Sequence, residues 1–357
     1  MLPTNDAVEN AAGEVNLRPS SHQTFPNPCG ANLAVAAGDT LRARSHRAMG
    51  TEFVVYLDAE DGVQARACFD AVFDEIDRLE ITFSRFQRSS ELSRLNRHAG
   101  EGPVVTDPEV FELVATALDL SEKTGGAFDL TVGRLTRAWG FAGGQPRIPE
   151  QSELAAAKEL VGWGNVILDA EWRTVQFARP GVELDLGAIA KGYAVDRAID
   201  MLRSLGVSAL IDAGSSSVAA VGEAFSRGWK VGIANPLDRG LTICEVELGQ
   251  RALSTSGVRE KSFVHDGRVY SHLLDPRTSD AGEAMPGTGA GQVLQVTVLA
   301  PSSMLADALS TAMFVLGHEH GSAALAQFAD CSALWIHSEA DGIRCFGHGW
   351  PGDDFLS

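Results

Sequence analysis

Cysteine is scarce in this chain. There are five in 357 residues, at Cys29, Cys68, Cys244, Cys331 and Cys345. The number is odd and no two stand in a C-x-x-C pair, which argues against both a zinc site and a disulfide framework. Long apolar runs are missing too: none reaches the ~18 residues that a membrane-spanning helix needs. Residues 1–40 contain no basic segment followed by an apolar one, so the sequence as written carries no secretion signal and a cytoplasmic location is expected. Positive charge is thin, with 29 Lys and Arg against 47 Asp and Glu and a formal charge of −18. No Lys/Arg-rich run appears, which argues against nucleic acid and against a polybasic membrane surface. The glycine pairs Gly125-Gly126 and Gly143-Gly144 sit in neither a GxGxxG nor a Walker pattern, so nucleotide binding of those two types is not supported. An anionic substrate would need a few local cations or a metal to overcome the global field.

What is present reads as globular. Hydrophobic residues make up 45% and charged residues 21%, enough for a core in one large domain or two smaller ones. Residues 1–40, rich in Asn, Ala, Pro, Ser and Gly, read as a flexible arm. The stretch 44–57 ends like a strand, with aromatic and β-branched residues, and stops at Asp58. Phe69, Val72, Phe73, Ile76 and Leu79 fall on one helical stripe, which predicts a helix over 61–83. Asp107 as N-cap, Pro108 at N1 and Gly125 as a stop predict another over 108–124. A third is expected over 190–206. Strands are expected at 209–211, 229–233 and 293–300, with a late one at 333–336. Asp266-Gly267 between 263–265 and 268–270 is a hairpin signal. Residues 302–316 read as a buried helix, and His318 and His320, after Gly317, as a surface turn. Hairpins mixed with long helices favour an α+β fold.

Three segments carry chemistry. Asp307 is a lone carboxylate in an apolar helix, and Thr311, four residues on, shares its face. Together they make a partial shell for a hard cation such as Mg²⁺, which takes few protein ligands. Equally, Asp307 could pair with an arginine and Thr311 could bond back to its own helix. Asp185 follows a strand-like alternation. Gly187-Ala188 allows close backbone approach, and Lys191 then opens a helix where free N–H groups suit a phosphate. The alternative is a tight turn with a surface lysine. His272 stands at the end of a hairpin strand, with Asp275-Pro276 forcing a turn behind it, and could serve as a general base or as a structural histidine.

Taken in order, six stretches resemble the ApbE family of flavin transferases. They are Ala48-Met49-Gly50-Thr51, then Phe83-Ser84-Arg85-Phe86 with residues 90–96, then Gly126-Ala127-Phe128-Asp129. They continue with Asp185-Leu186-Gly187-Ala188-Ile189-Ala190-Lys191-Gly192, then residues 270–278 around His272, and finally residues 306–312. The resemblance implies an α+β fold related to the T-fold, with antiparallel sheets, packed helices and an FAD cleft, occupying residues 41–357. It implies transfer of FMN from FAD to a Thr or Ser hydroxyl of a target protein, with release of AMP. By motif position, Asp307, Thr311 and the carbonyl of Ala188 would bind Mg²⁺. Asp185 and Lys191 would hold FAD. Met49, Phe86, Ala127, Phe128, Asp129 and Leu273 would line its pockets, and His272 would take the acceptor's proton. Phe86 stands where family members often carry tyrosine. Residues 213–217 replace a Gly-Gly-Asp that many members carry. The same site with water as acceptor would be an FAD pyrophosphatase giving FMN and AMP, and without catalysis an FAD-binding protein.

Overall fold

The computed structural model describes residues 41–223, 228–284, 291–340 and 342–351, together with four short strands within the first forty residues. The arm expected over 1–40 otherwise lies outside the described residues. The chain divides into two units. One comprises Met1–Leu79, Lys191–Ser254 and Leu299–Ala306; the other comprises Glu80–Ala190, Thr255–Val298 and Asp307–Ser357.

In the first unit, the stretch 44–57 ends in a strand as expected, and that strand is the second arm of a hairpin. Strand Leu41–Ala48 reverses at Met49-Gly50 and returns as Thr51–Asp58, with Ala48 opposite Thr51. Both turn residues take positive φ, 51° and 75°, which is the combination a two-residue hairpin turn requires. Methionine rarely adopts it, so no turn signal was visible. Thr51–Asp58 pairs antiparallel with Ser208–Ala213, which pairs with Ser217–Val221. Helix Gly62–Phe83 buries its predicted stripe, Phe69, Val72, Phe73, Ile76 and Leu79. Its polar edge is tied to the first strand by Arg44–Asp70 at 2.8 Å and His46–Asp77 at 2.7 Å. Helix Ala190–Ser204 buries Ala194, Val195, Ala198, Ile199 and Leu202. Its Gly192 is needed for close packing: a Cβ there would stand 2.3 Å from the carbonyl oxygen of Ser303.

In the second unit, Asp107 caps helix Pro108–Lys123 by accepting from the Glu109 amide, with proline in the first turn as expected. The predicted hairpin is Ser262–His265 with Arg268–Leu274, extended by Ala281–Ala284 on the far side. It closes over a core of Leu135, Ala138, Trp139, Ala157, Leu274 and Ala281. Strands Ser332–Glu339 and Gly342–His348 form a second hairpin. The buried helix runs further than expected, over Ser303–Leu325, but breaks at Gly317, where φ is 70°. His318 and His320 therefore lie on a helical continuation, not in a surface turn. His318 stacks on Phe346 at 4.6 Å.

Candidate active site

The segment from Val182 to Ile189 is neither helix nor long strand, so side chains hold it in place. Asn96, on helix Glu91–Arg97, clamps one residue: its Nδ2 donates to the Leu184 carbonyl at 3.0 Å and its Oδ1 accepts from the Leu184 amide at 2.7 Å. Beside the clamp, Arg85 is buried against two carboxylates. It forms an ion pair with Asp185 and lies 3.5 Å from Glu183. Glu183 also accepts from Arg137 at 2.5 Å, and that hydrogen bond raises the arginine's pKa further above its usual value. Asp185 accepts from Thr136 at 3.3 Å and, through its other oxygen, from the Gly187 amide at 2.9 Å. Its carboxylate thus shapes the turn that leads through half-buried Ala188 into the Lys191 helix. Arg85 and Asn96 lie inside motifs that the sequence already singled out, but their roles depend on partners about ninety to a hundred residues away.

Asp129 is similarly committed inward. Its carboxylate accepts from the Thr131 amide and hydroxyl at 2.8 and 2.6 Å and from the Trp163 amide at 2.8 Å. Burial pushes its pKa up, against the pull of those hydrogen bonds. Ala127 and Phe128 are buried as well. What these three residues offer a ligand is chiefly backbone. Phe86, by contrast, is 66% exposed and lies beneath the Arg85 guanidinium, 5.6 Å from its ring centre.

Asp307 is buried, at 3% exposure, on the helix. Hydroxyls surround its next turn. Ser256, on strand Ala252–Gly257, lies 2.8 Å from the Ser310 hydroxyl and 3.3 Å from that of Thr311. The donors are all oxygen, one of them charged, which fits Mg²⁺ and fits softer metals poorly. Among the described residues no group of three or more His, Cys, Asp or Glu forms a complete metal cage. A cation at Asp307 would therefore draw most of its shell from hydroxyls, carbonyls, water or substrate.

His272 meets the Lys261 carbonyl twice. Its amide and its Nδ1 both meet the Lys261 oxygen, at 2.9 and 3.2 Å. A carbonyl only accepts, so Nδ1 carries the hydrogen and Nε2 is the basic nitrogen. Phe141 packs edge-on against the ring at 6.4 Å. The next residue, Leu273, is buried and lines a cavity of about 290 Å³ with Asp275, Thr278, Asp280, Ala281, Phe314 and Val315.

Met49 and Lys191 belong to the first unit. Met49 is the hairpin-turn residue, and Lys191 is half-buried in the first turn of helix Ala190–Ser204. In the same unit, Asp196 was not singled out from the sequence. Its carboxylate accepts from the amides of Ser303 and Met304, at 2.7 and 2.8 Å, and so caps the helix that carries Asp307. No local sequence signal marks it, because the cap comes from a residue more than a hundred positions away.

A model of the ApbE family matches residues 49–335. The FAD:protein FMN transferase of Treponema pallidum is 34% identical over 288 residues, which cover 76% of this chain and 78% of that one. An enzyme of the same name from Klebsiella pneumoniae is 33% identical, covering 83% and 89%. Among solved structures, the ApbE protein of Thermotoga maritima matches with a TM-score of 0.76 and 32% identity, over 85% of this chain and 96% of that one.

Proposed function

The chain belongs to the ApbE family, and we propose that it uses magnesium to transfer FMN from FAD to a serine or threonine hydroxyl of a partner protein. FMN transfer from FAD to protein is the reaction named for its relatives, which it matches over most of its length. In the reaction, the acceptor oxygen bonds to the phosphorus on the riboflavin side of FAD. The pyrophosphate bond breaks, its bridging oxygen leaves with AMP, and the hydroxyl proton passes to Nε2 of His272. The products are a phosphoester-linked flavoprotein, AMP and one proton.

The observation that carries this reading is the contact between His272 Nδ1 and the Lys261 carbonyl. It sets the tautomer that a general base needs. Asp307, Thr311 and the Ala188 carbonyl are the residues we assign to Mg²⁺, which when bound would neutralise charge on the pyrophosphate oxygens. Asp185, pinned by Arg85, holds the turn before the Lys191 helix in place for FAD. Residues 127–129 and Leu273 would contribute backbone and apolar wall.

The test is incubation with FAD, Mg²⁺ and the flavin-free form of a protein domain that normally carries FMN through a threonyl phosphoester. A fluorescent protein band that survives denaturation supports transfer. His272→Ala is expected to bind FAD as before and to lose about 10²–10⁴-fold in transfer rate. Free FMN with no labelled band would show that water, not protein, is the acceptor.

A further inference from the structure

The hairpin that carries His272 has an open edge. In the sheet of Ser262–His265, Arg268–Leu274 and Ala281–Ala284, the first strand is outermost. Among the described residues no strand pairs with its other side. The register puts His265 opposite Arg268 across the two-residue turn, then Phe263 opposite Tyr270, and the His272 amide on the Lys261 carbonyl. These alternate positions exchange the hydrogen bonds within the hairpin, so the backbone groups of Ser262 and Val264 point outward. Both residues are exposed, Val264 at 67%. Proteins usually blunt such an edge with a proline, a bulge or a cover, because it recruits another strand. Here it stands one strand away from the proposed base.

Charge sets this edge apart as well. On a chain with a formal charge of −18, exposed Arg259, Lys261, His265 and Arg268 stand within residues 259–268 against Glu260 and Asp266, with His265 lying 3.5 Å from Asp266, a local excess of basic side chains. The occupant it fits is therefore an extended segment with acidic side chains.

We infer that the outer edge of Ser262–His265 is where the partner protein docks: an extended, acidic, hydroxyl-bearing segment adds to it as a further strand. Side chains directly across neighbouring strands share a face. A serine or threonine paired opposite Lys261 would therefore lie on the same face as His272. Two strand spacings, about 10 Å between backbones, would separate the residues, which is beyond direct contact of a hydroxyl side chain and an imidazole, so one bridging water would carry the proton to His272. Backbone bonding would supply affinity, and the face alternation would select which residue is modified. This inference rests on the proposed transfer reaction.

The experiment measures transfer to the flavin-free carrier domain described above, with Val264→Pro and Val264→Thr compared with the unaltered chain. Proline removes an outward N–H and leaves the hairpin's own bonds in place; threonine keeps that N–H. We expect Val264→Pro to raise KM for the carrier domain at least tenfold while the FAD dissociation constant, read by fluorescence, stays within twofold. Val264→Thr should behave as the unaltered chain does. Ser262→Pro repeats the test should Val264→Pro bind FAD poorly. An unchanged KM in the proline variant that binds FAD normally would overturn the docking edge alone and leave the transfer reaction standing. A self-associated chain that Val264→Pro converts to monomer, with KM unchanged, would give the edge to a second copy and likewise overturn it. No labelled carrier from the unaltered chain would bring down the transfer reaction and the docking edge together.

Discussion

Arg85 and Asp185, a hundred residues apart, form an ion pair in which both side chains are largely buried, at 6% and 15% exposure. Glu183, at 10%, shares the same guanidinium. Two carboxylates so enclosed need that cation, because removing one partner of a buried pair leaves charge without compensation. Arg85→Met is expected to destabilise the protein by about 3–5 kcal/mol, measured as a shift in the urea midpoint at unchanged slope. A shift worth less than about 1 kcal/mol would place the pair with ordinary surface bridges.

Asp196 gives a pH dependence with a definite sign. Burial pushes its pKa from the usual 3.8 up to about 6, opposed by the Ser303 and Met304 amides and reinforced by Asp200. The folded chain thus holds this proton more tightly than the unfolded chain does. The group's contribution is fully present below about pH 4 and is lost as pH rises through 6. Asp196→Asn removes the titration and keeps an oxygen for the cap. Its stability relative to the unaltered protein should improve by about 3 kcal/mol between pH 4 and pH 7. Parallel unfolding curves at the two pH values check this, and an unchanged difference would count against it.

Gly192→Ala sets two effects against each other. Alanine favours a helix by up to about 1 kcal/mol over glycine. The new Cβ, however, would lie 2.3 Å from the Ser303 oxygen and 2.7 Å from the Met304 Cα, both backbone atoms with little room to move. Overpacking of this kind costs about 1–3 kcal/mol, so a lower Tm is expected. A raised Tm would mean that the two backbones separate freely.

Asp307→Ala should leave a folded protein with intact circular dichroism that has lost Mg²⁺-dependent transfer by about 10²–10³-fold. Titration of Mg²⁺ against transfer rate is the measurement. Full activity in the variant at low Mg²⁺ would remove the assignment of Asp307 to the metal.

Much of the fold could be read from local pattern. The stripe from Phe69 to Leu79, the Asp107-Pro108 start and the Asp266-Gly267 turn each express a rule that needs only neighbouring residues. Helices Glu91–Arg97, Gly133–Ala138 and Gln151–Lys158 were not foreseen, being six to eight residues long and too short for a 3.6-residue period to stand out. The Met49-Gly50 reversal escaped because methionine seldom takes positive φ. At the site, Asp307, Thr311 and His272 were legible as chemical groups. Their supports were not: Ser256, Arg85, Asn96 and Asp196 are ordinary polar residues until the fold brings distant partners to them.

The Asn96 clamp bears on engineering. Residues 184–185 are steadied by Arg85 and Asn96 from one stretch of chain and by Thr136 from another. Grafting residues 182–192 into another scaffold would transplant the groups assigned here to FAD and Mg²⁺ without their anchors. A working chimera has to carry all three donors with it, so the smallest portable version of this centre is discontinuous in sequence.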